Sequence, residues 1–114
     1  VLPLEKALTN ADIITIHSSG DTCILGKEEF SIIKSGAYLL NAARGNLISE
    51  PSLIEALESG KVKGVWLDTF ENEPYDGPLT EYEQVVLTPH IGSYTAECRK
   101  QMETEAVENL INAL

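Results

Sequence analysis

An α/β fold on a parallel sheet is predicted for this chain by three observations. Short β-branched apolar runs recur along it, segments with helical spacing and recognisable caps separate them, and polar residues able to do chemistry stand just after the runs rather than inside them. Residues 2–9 (LPLEKALT) read as a short helix that stops before Asn10. Residues 12–17 (DIITIH) are β-branched and apolar, the pattern of a strand buried on both faces. Residues 27–34 place Phe30, Ile32 and Ile33 in a helix, with Gly36 where a C-cap belongs. Residues 37–42 (AYLLNA) form the second strand. Ser49 is the N-cap of the next helix, with Pro51 in its first turn, Leu53 and Leu57 on one face and Gly60 closing it. Residues 62–70 (VKGVWLDTF) and 85–88 (VVLT) read as the third and fourth strands. From Thr95 onward an amphipathic helix carries Met102, Ala106, Leu110 and Leu114 along one stripe. This alternation implies parallel pairing, right-handed crossovers and helices on both faces of the sheet. One long irregular piece, residues 71–83 (ENEPYDGPLTEYE), interrupts it, and loops of that length inside compact domains are usually functional.

Composition narrows the function. A chain of 114 residues suits one domain but is small for a whole cofactor-dependent enzyme. It opens at Val1 without Met or a basic-then-apolar leader, so no signal peptide is expected and the chain reads as cut from something longer. No apolar run approaches the ~18 residues a membrane span needs. A formal charge of −10 argues against nucleic acid as a partner, because phosphate contacts require clustered Lys and Arg. Cys23 and Cys98 lie in unlike contexts without CxxC spacing, which points to two reduced structural thiols in a cytoplasmic protein.

In open parallel sheets, ligands bind beyond the carboxyl ends of the strands. Here the first strand ends at His17-Ser18-Ser19-Gly20, the second at Asn41-Ala42-Ala43-Arg44-Gly45, the third at Asp68 followed by Glu73, and the fourth at Pro89-His90-Ile91-Gly92. Each residue alone has a plainer reading: Arg44 as a surface ion pair, Glu73 as a turn residue, His90 as a loop cap. Four such residues at four successive strand ends make a coherent chemistry instead. A carboxylate beside an imidazole raises its pKa and fixes its tautomer, which makes His90, oriented by Glu73, a general acid for a developing alkoxide and a base in the reverse direction. Arg44 offers a planar fork for a substrate carboxylate. Asp68 is placed to accept from a carboxamide N–H. His17 and His90 are dispersed and no metal-ligand spacing is present.

Three stretches, residues 39–55 (LLNAARGNLISEPSLIE), 64–74 (GVWLDTFENEP) and 86–93 (VLTPHIGS), resemble the D-isomer-specific 2-hydroxyacid dehydrogenases, which include phosphoglycerate dehydrogenases and glyoxylate/hydroxypyruvate reductases. The resemblance runs in order over essentially the whole chain. It implies a partial Rossmann-type doubly wound sheet, its last four strands, so that residues 1–114 form part of an NAD-binding domain. It also implies NAD or NADP as cofactor, a small 2-oxo or 2-hydroxy acid as substrate and a homodimer. By the same resemblance Arg44, Glu73 and His90 are the catalytic set, Asp68 contacts the nicotinamide, and His17, Ser18, Ala42, Ala43, Arg44, His90 and Gly92 line the cofactor. The sequence departs from the family at Ser18-Ser19-Gly20, where Pro-Leu-Thr is usual, and it carries no glycine-rich GxGxxG turn and no substrate domain. Two other readings stay open: a dinucleotide-sensing module of the corepressor type, and the formate dehydrogenase branch, against which the carboxylate of Glu73 argues because that branch has an amide there. If the strand at residues 12–17 normally lies beside a strand upstream of Val1, its edge is exposed here. The chain alone is then expected to self-associate, to bind NADH weakly and to lack dehydrogenase activity.

Overall fold

In a computed structural model describing residues 1–114, four strands pair in parallel in the order β1-β2-β3-β4: Ile13–Ile16 (β1), Ala37–Asn41 (β2), Val62–Leu67 (β3) and Val85–Leu87 (β4). Helix Leu4–Leu8 (α1) precedes β1, Lys27–Ile32 (α2) links β1 to β2, and Glu50–Glu58 (α3) links β2 to β3. The helix Ala96–Ala113 (α4) follows β4. Each element falls where the apolar pattern puts it, with the ends trimmed by a few residues. Thr95 caps α4 by accepting from Cys98 N–H at 3.1 Å, while Ser49 at the head of α3 bonds Ser52 Oγ instead of a backbone amide. The third strand stops at Leu67, earlier than the sequence suggests, because Asp68 turns its side chain to another loop.

Register decides where the core sits. Ile14, Leu39, Val65 and Val85 align across the sheet, and so do Ile16, Asn41, Leu67 and Leu87. Period-two alternation sends both rows to one face. There they meet Leu8, Phe30, Ile33, Leu53, Ala56 and Leu57 of α1 to α3 and the segments flanking them. Burying a residue such as Leu39 or Leu53, each only 1% exposed, contributes about 1.5–3 kcal/mol. The opposite face carries Ile13, Tyr38 and Val86, all exposed. The helices therefore do not divide between two faces in this chain. Each strand lies beside the one before it, and successive right-handed crossovers in a monotonic order put their helices on the same side. α4 does not cover the second face, since none of its residues is buried. β1 is an edge strand, as the sequence leads one to expect. Both cysteines are free thiols, and no helix is long and apolar enough to cross a membrane.

Candidate active site

The polar residues gather at the carboxyl ends of the strands, and hydrogen bonds specify how. At the end of β2, Asn41 is buried, a position that costs free energy unless the amide is satisfied. Its Oδ1 accepts from Ala43 N–H at 3.0 Å and its Nδ2 donates to Arg44 O at 2.8 Å, so one side chain fixes the turn through residues 42–44. The Arg44 guanidinium stays exposed and donates from Nη1 to Ala43 O at 2.8 Å. The next residue has to be glycine. A Cβ on Gly45 would stand 2.0 Å from Phe70 C and 2.2 Å from Glu71 N, so the absent side chain lets the β2 turn press on the loop that carries Glu73.

At the end of β3 that loop folds on itself. Phe70 and Tyr75 stack with centroids 4.6 Å apart, and Tyr75 Oη accepts from Leu79 N–H at 3.1 Å. Burial pushes the Tyr75 hydroxyl up to about 12, so it stays neutral. The Glu73 carboxylate is held at both oxygens: Oε1 accepts from Phe70 N–H at 3.0 Å, and Oε2 pairs with His90 Nδ1 at 3.0 Å. Those two bonds, the Phe70 amide first, hold its carboxyl below the usual glutamate range. An ionised carboxylate only accepts, so Nδ1 of His90 carries the proton of that bond and Nε2 is left for chemistry.

His90 sits on a strained backbone, with φ of +54°. The amides after it are clamped by Asp68, whose Oδ1 accepts from Ile91 N–H at 3.0 Å and whose Oδ2 accepts from Gly92 N–H at 2.9 Å. Thr88 Oγ1 also reaches Asp68 Oδ1 at 2.5 Å. Burial pushes the Asp68 carboxyl up, but the donors Thr88, Ile91 and Gly92 together outweigh it and leave it below the usual aspartate range.

The model of the "D-isomer specific 2-hydroxyacid dehydrogenase, NAD binding domain" family matches residues 1–92. The chain belongs to this family. It is 48% identical over 116 residues to a glyoxylate/hydroxypyruvate reductase B of Enterobacter sp. (strain 638), an alignment that spans 97% of this chain and 36% of that protein. A glyoxylate reductase from Paecilomyes thermophila superposes with a TM-score of 0.93 at 38% identity, over 98% of this chain and 35% of that one. A D-isomer specific 2-hydroxyacid dehydrogenase from Xanthobacter autotrophicus Py2, solved with NADPH and MES, gives a TM-score of 0.74 at 31% identity, over 77% of this chain and 30% of that one. The chain thus spans about a third of the length of these dehydrogenases.

Among the residues that the sequence singles out in this dehydrogenase domain, the structure joins His90 to Glu73 directly, and Asp68 to the His90 loop through Ile91 and Gly92. It does not tie Arg44, His17 or Ser18 to them. Arg44 bonds its neighbour, His17 Nε2 lies 2.9 Å from Thr15 Oγ1, and Ser18 Oγ donates to Ser19 O at 3.2 Å. Sequence reasoning treats Asp68 as a cofactor contact, whereas three of the roughly four acceptor positions of its carboxylate are already taken inside the chain. The fourth is buried with the rest of the side chain, which is 2% exposed. The strand ends fit a dinucleotide in another respect: Ser18, Ala42, Ala43 and Gly92 are small and exposed or half-buried, leaving backbone approachable there. No three His, Cys, Asp or Glu side chains converge to hold a metal ion. Asn41 and Thr88 escape a reading of the sequence for site residues. A buried amide closing an apolar strand, and a hydroxyl just before Pro89, are the signals that would find them.

Proposed function

We propose that this chain supplies the cofactor-facing and acid/base part of a longer NAD(P)-dependent oxidoreductase that interconverts 2-oxo acids and D-2-hydroxy acids. The observation that carries this reading is the Glu73–His90 pair, in which Glu73 is fixed by the Phe70 amide and leaves Nε2 of the histidine unengaged by Glu73. The bound nicotinamide supplies the hydride. His90 delivers the Nε2 proton to the carbonyl oxygen as charge develops there; Glu73 stabilises the imidazolium before the transfer and keeps its bond to Nδ1–H of the neutral ring after it. Arg44 takes the substrate carboxylate in a two-pronged contact and polarises the neighbouring carbonyl, which requires its guanidinium to leave Ala43 O. Asp68 holds the amides after His90, and its contact with the carboxamide requires its buried side chain to be uncovered. His17, Ser18, Ala42, Ala43 and Gly92 line the cofactor. Glyoxylate and hydroxypyruvate are the first substrates to try, given the names of the relatives, and a homodimer is the proposed assembly.

The test is turnover of the full-length enzyme with NADH or NADPH and each of these two acids. Reduction that survives His90→Asn within a few-fold removes His90 from the mechanism. Cofactor binding with no turnover of any 2-oxo acid overturns the enzymatic reading in favour of a dinucleotide sensor.

A further inference from the structure

We propose that Trp66 is a positioning residue for His90, acting through the hydroxyl of Thr88 and the carboxylate of Asp68. The inference rests on the acid/base role proposed for His90. Trp66 lies in β3 opposite Val86 of β4, and alternation along β4 brings Thr88, two residues on, to the same face of the sheet. Its indole Nε1 is 3.2 Å from Thr88 Oγ1, and that oxygen is 2.5 Å from Asp68 Oδ1. The polarity of the chain of bonds follows from what each group can do. An indole N–H only donates, so Thr88 spends a lone pair on it. An ionised carboxylate only accepts, so the single hydroxyl hydrogen of Thr88 points at Asp68. Both ends fix the rotor in one sense.

Asp68 passes the order on. Oδ1, which receives the Thr88 hydrogen, also receives Ile91 N–H at 3.0 Å, while Oδ2 receives Gly92 N–H at 2.9 Å. These are the two amides immediately after His90, whose own N–H bonds Thr88 O at 2.9 Å. Thr88 is therefore tied to the histidine segment from both its main chain and its side chain. A residue held at φ of +54° relaxes unless its surroundings over-determine it. With Trp66 removed, the Thr88 hydroxyl is free to turn away and Asp68 can rotate about its own bond. The imidazole then loses aim while the fold and the Arg44 turn proposed to take the substrate carboxylate stay in place.

The experiment is a mutant cycle in the full-length enzyme, read by steady-state kinetics and by amide hydrogen exchange at residues 91 and 92. Trp66→Phe keeps an aromatic side chain, though a smaller one, and removes the donor. It should lower kcat roughly tenfold, with KM for the 2-oxo acid moving less than about twofold, and should speed exchange at both amides by about the same factor as Thr88→Val. Thr88→Ser restores the hydroxyl and should recover most of the loss. Trp66→Phe added to Thr88→Val should cost little more, because the path is already cut. Full additivity of the two losses, or unchanged exchange at residues 91 and 92 in Trp66→Phe, overturns the proposal and leaves Trp66 a packing residue. Should Trp66→Phe fail to fold, the contrast between Thr88→Val and Thr88→Ser decides: equal kinetics and equal exchange in the two refute the path. Exchange needs no turnover, so failure of the acid/base assignment, read with His90→Asn, is seen separately.

Discussion

The two halves of the strand-end cluster are built differently. At β3 and β4 the side chains bond across long stretches of chain: Glu73 to His90, Thr88 to Asp68, Asp68 to Ile91 and Gly92, and Trp66 to Thr88, with sequence separations of 17 to 24 residues. At β1 and β2 every side-chain bond is local. Ser18 reaches Ser19, His17 meets Thr15, Arg44 reaches Ala43, and Asn41 holds the turn two and three residues on. Long-range bonds fix a group relative to the rest of the fold, whereas local ones fix it only relative to its own loop. The half proposed to move a proton is thus held by the rest of the fold, and the β1 and β2 half, proposed to bind substrate and cofactor, is held only within its own loops. This is the division expected where acid/base groups have to be pre-aligned and a flexible cation closes on its substrate.

The contrast can be broken at its strongest point first. His90→Asn keeps a residue that tolerates the left-handed backbone while removing the acid/base group. It should cut turnover by roughly two to four orders of magnitude and leave NADH affinity within about threefold. Steady-state kinetics and cofactor titration of the full-length enzyme measure both, and a large loss of NADH affinity would show the two halves to be one unit. Arg44→Lys keeps charge but not the fork, so kcat/KM for a 2-oxo acid should fall roughly 10- to 100-fold, mostly through KM. Kinetics like those of the unmodified enzyme would return Arg44 to the surface.

Smaller effects sharpen the same division. Glu73→Gln removes the charged partner that holds Nδ1 of His90, and turnover should fall about tenfold in steady-state kinetics of the full-length enzyme. Unchanged turnover would make Glu73 a turn residue only. Asp68 carries the sign of a depressed carboxyl: its stabilising contribution is present above the usual aspartate range and is lost as pH falls below about 4 and through the lower folded value. Urea unfolding followed from pH 6 to pH 3 should therefore show a shallower acid decline in Asp68→Asn, and parallel curves would deny Asp68 this linkage. Least is expected of Ser18→Ala, whose hydroxyl bonds only the adjacent carbonyl. Cofactor dissociation constants should rise less than about threefold, and a tenfold rise would mean that the β1 end is held in place as firmly as the β4 end.

What is legible in the sequence follows the same line. The four strands can be read because each is a short apolar run, and the helices because their spacing is local, while strand-end placement alone draws attention to Arg44, Asp68, Glu73 and His90. Pairings between distant residues cannot be read. Glu73 lies six residues beyond β3, and only the stack of Phe70 on Tyr75 and the Phe70 amide turn it back toward His90. Trp66 looks like one more apolar strand residue, since nothing local says that its N–H will find a hydroxyl on the next strand. The side of the sheet on which the helices lie is equally hidden, because strand order is a property of pairing and not of composition. In α4 the apolar stripe is visible, but the structure leaves Met102 and Leu110 in water, which no periodicity reveals.

Gly45 shows how misleading a functional screen of this region would be on its own. Scored on turnover, every replacement at Gly45 should read as a dead enzyme, ranking it beside His90 although it touches no reactant. Soluble yield and melting temperature would part them: His90 variants should accumulate as intact, inert protein, whereas Gly45 variants should be depleted before any assay begins, because the main chain of residues 70 and 71 already fills the space a side chain needs.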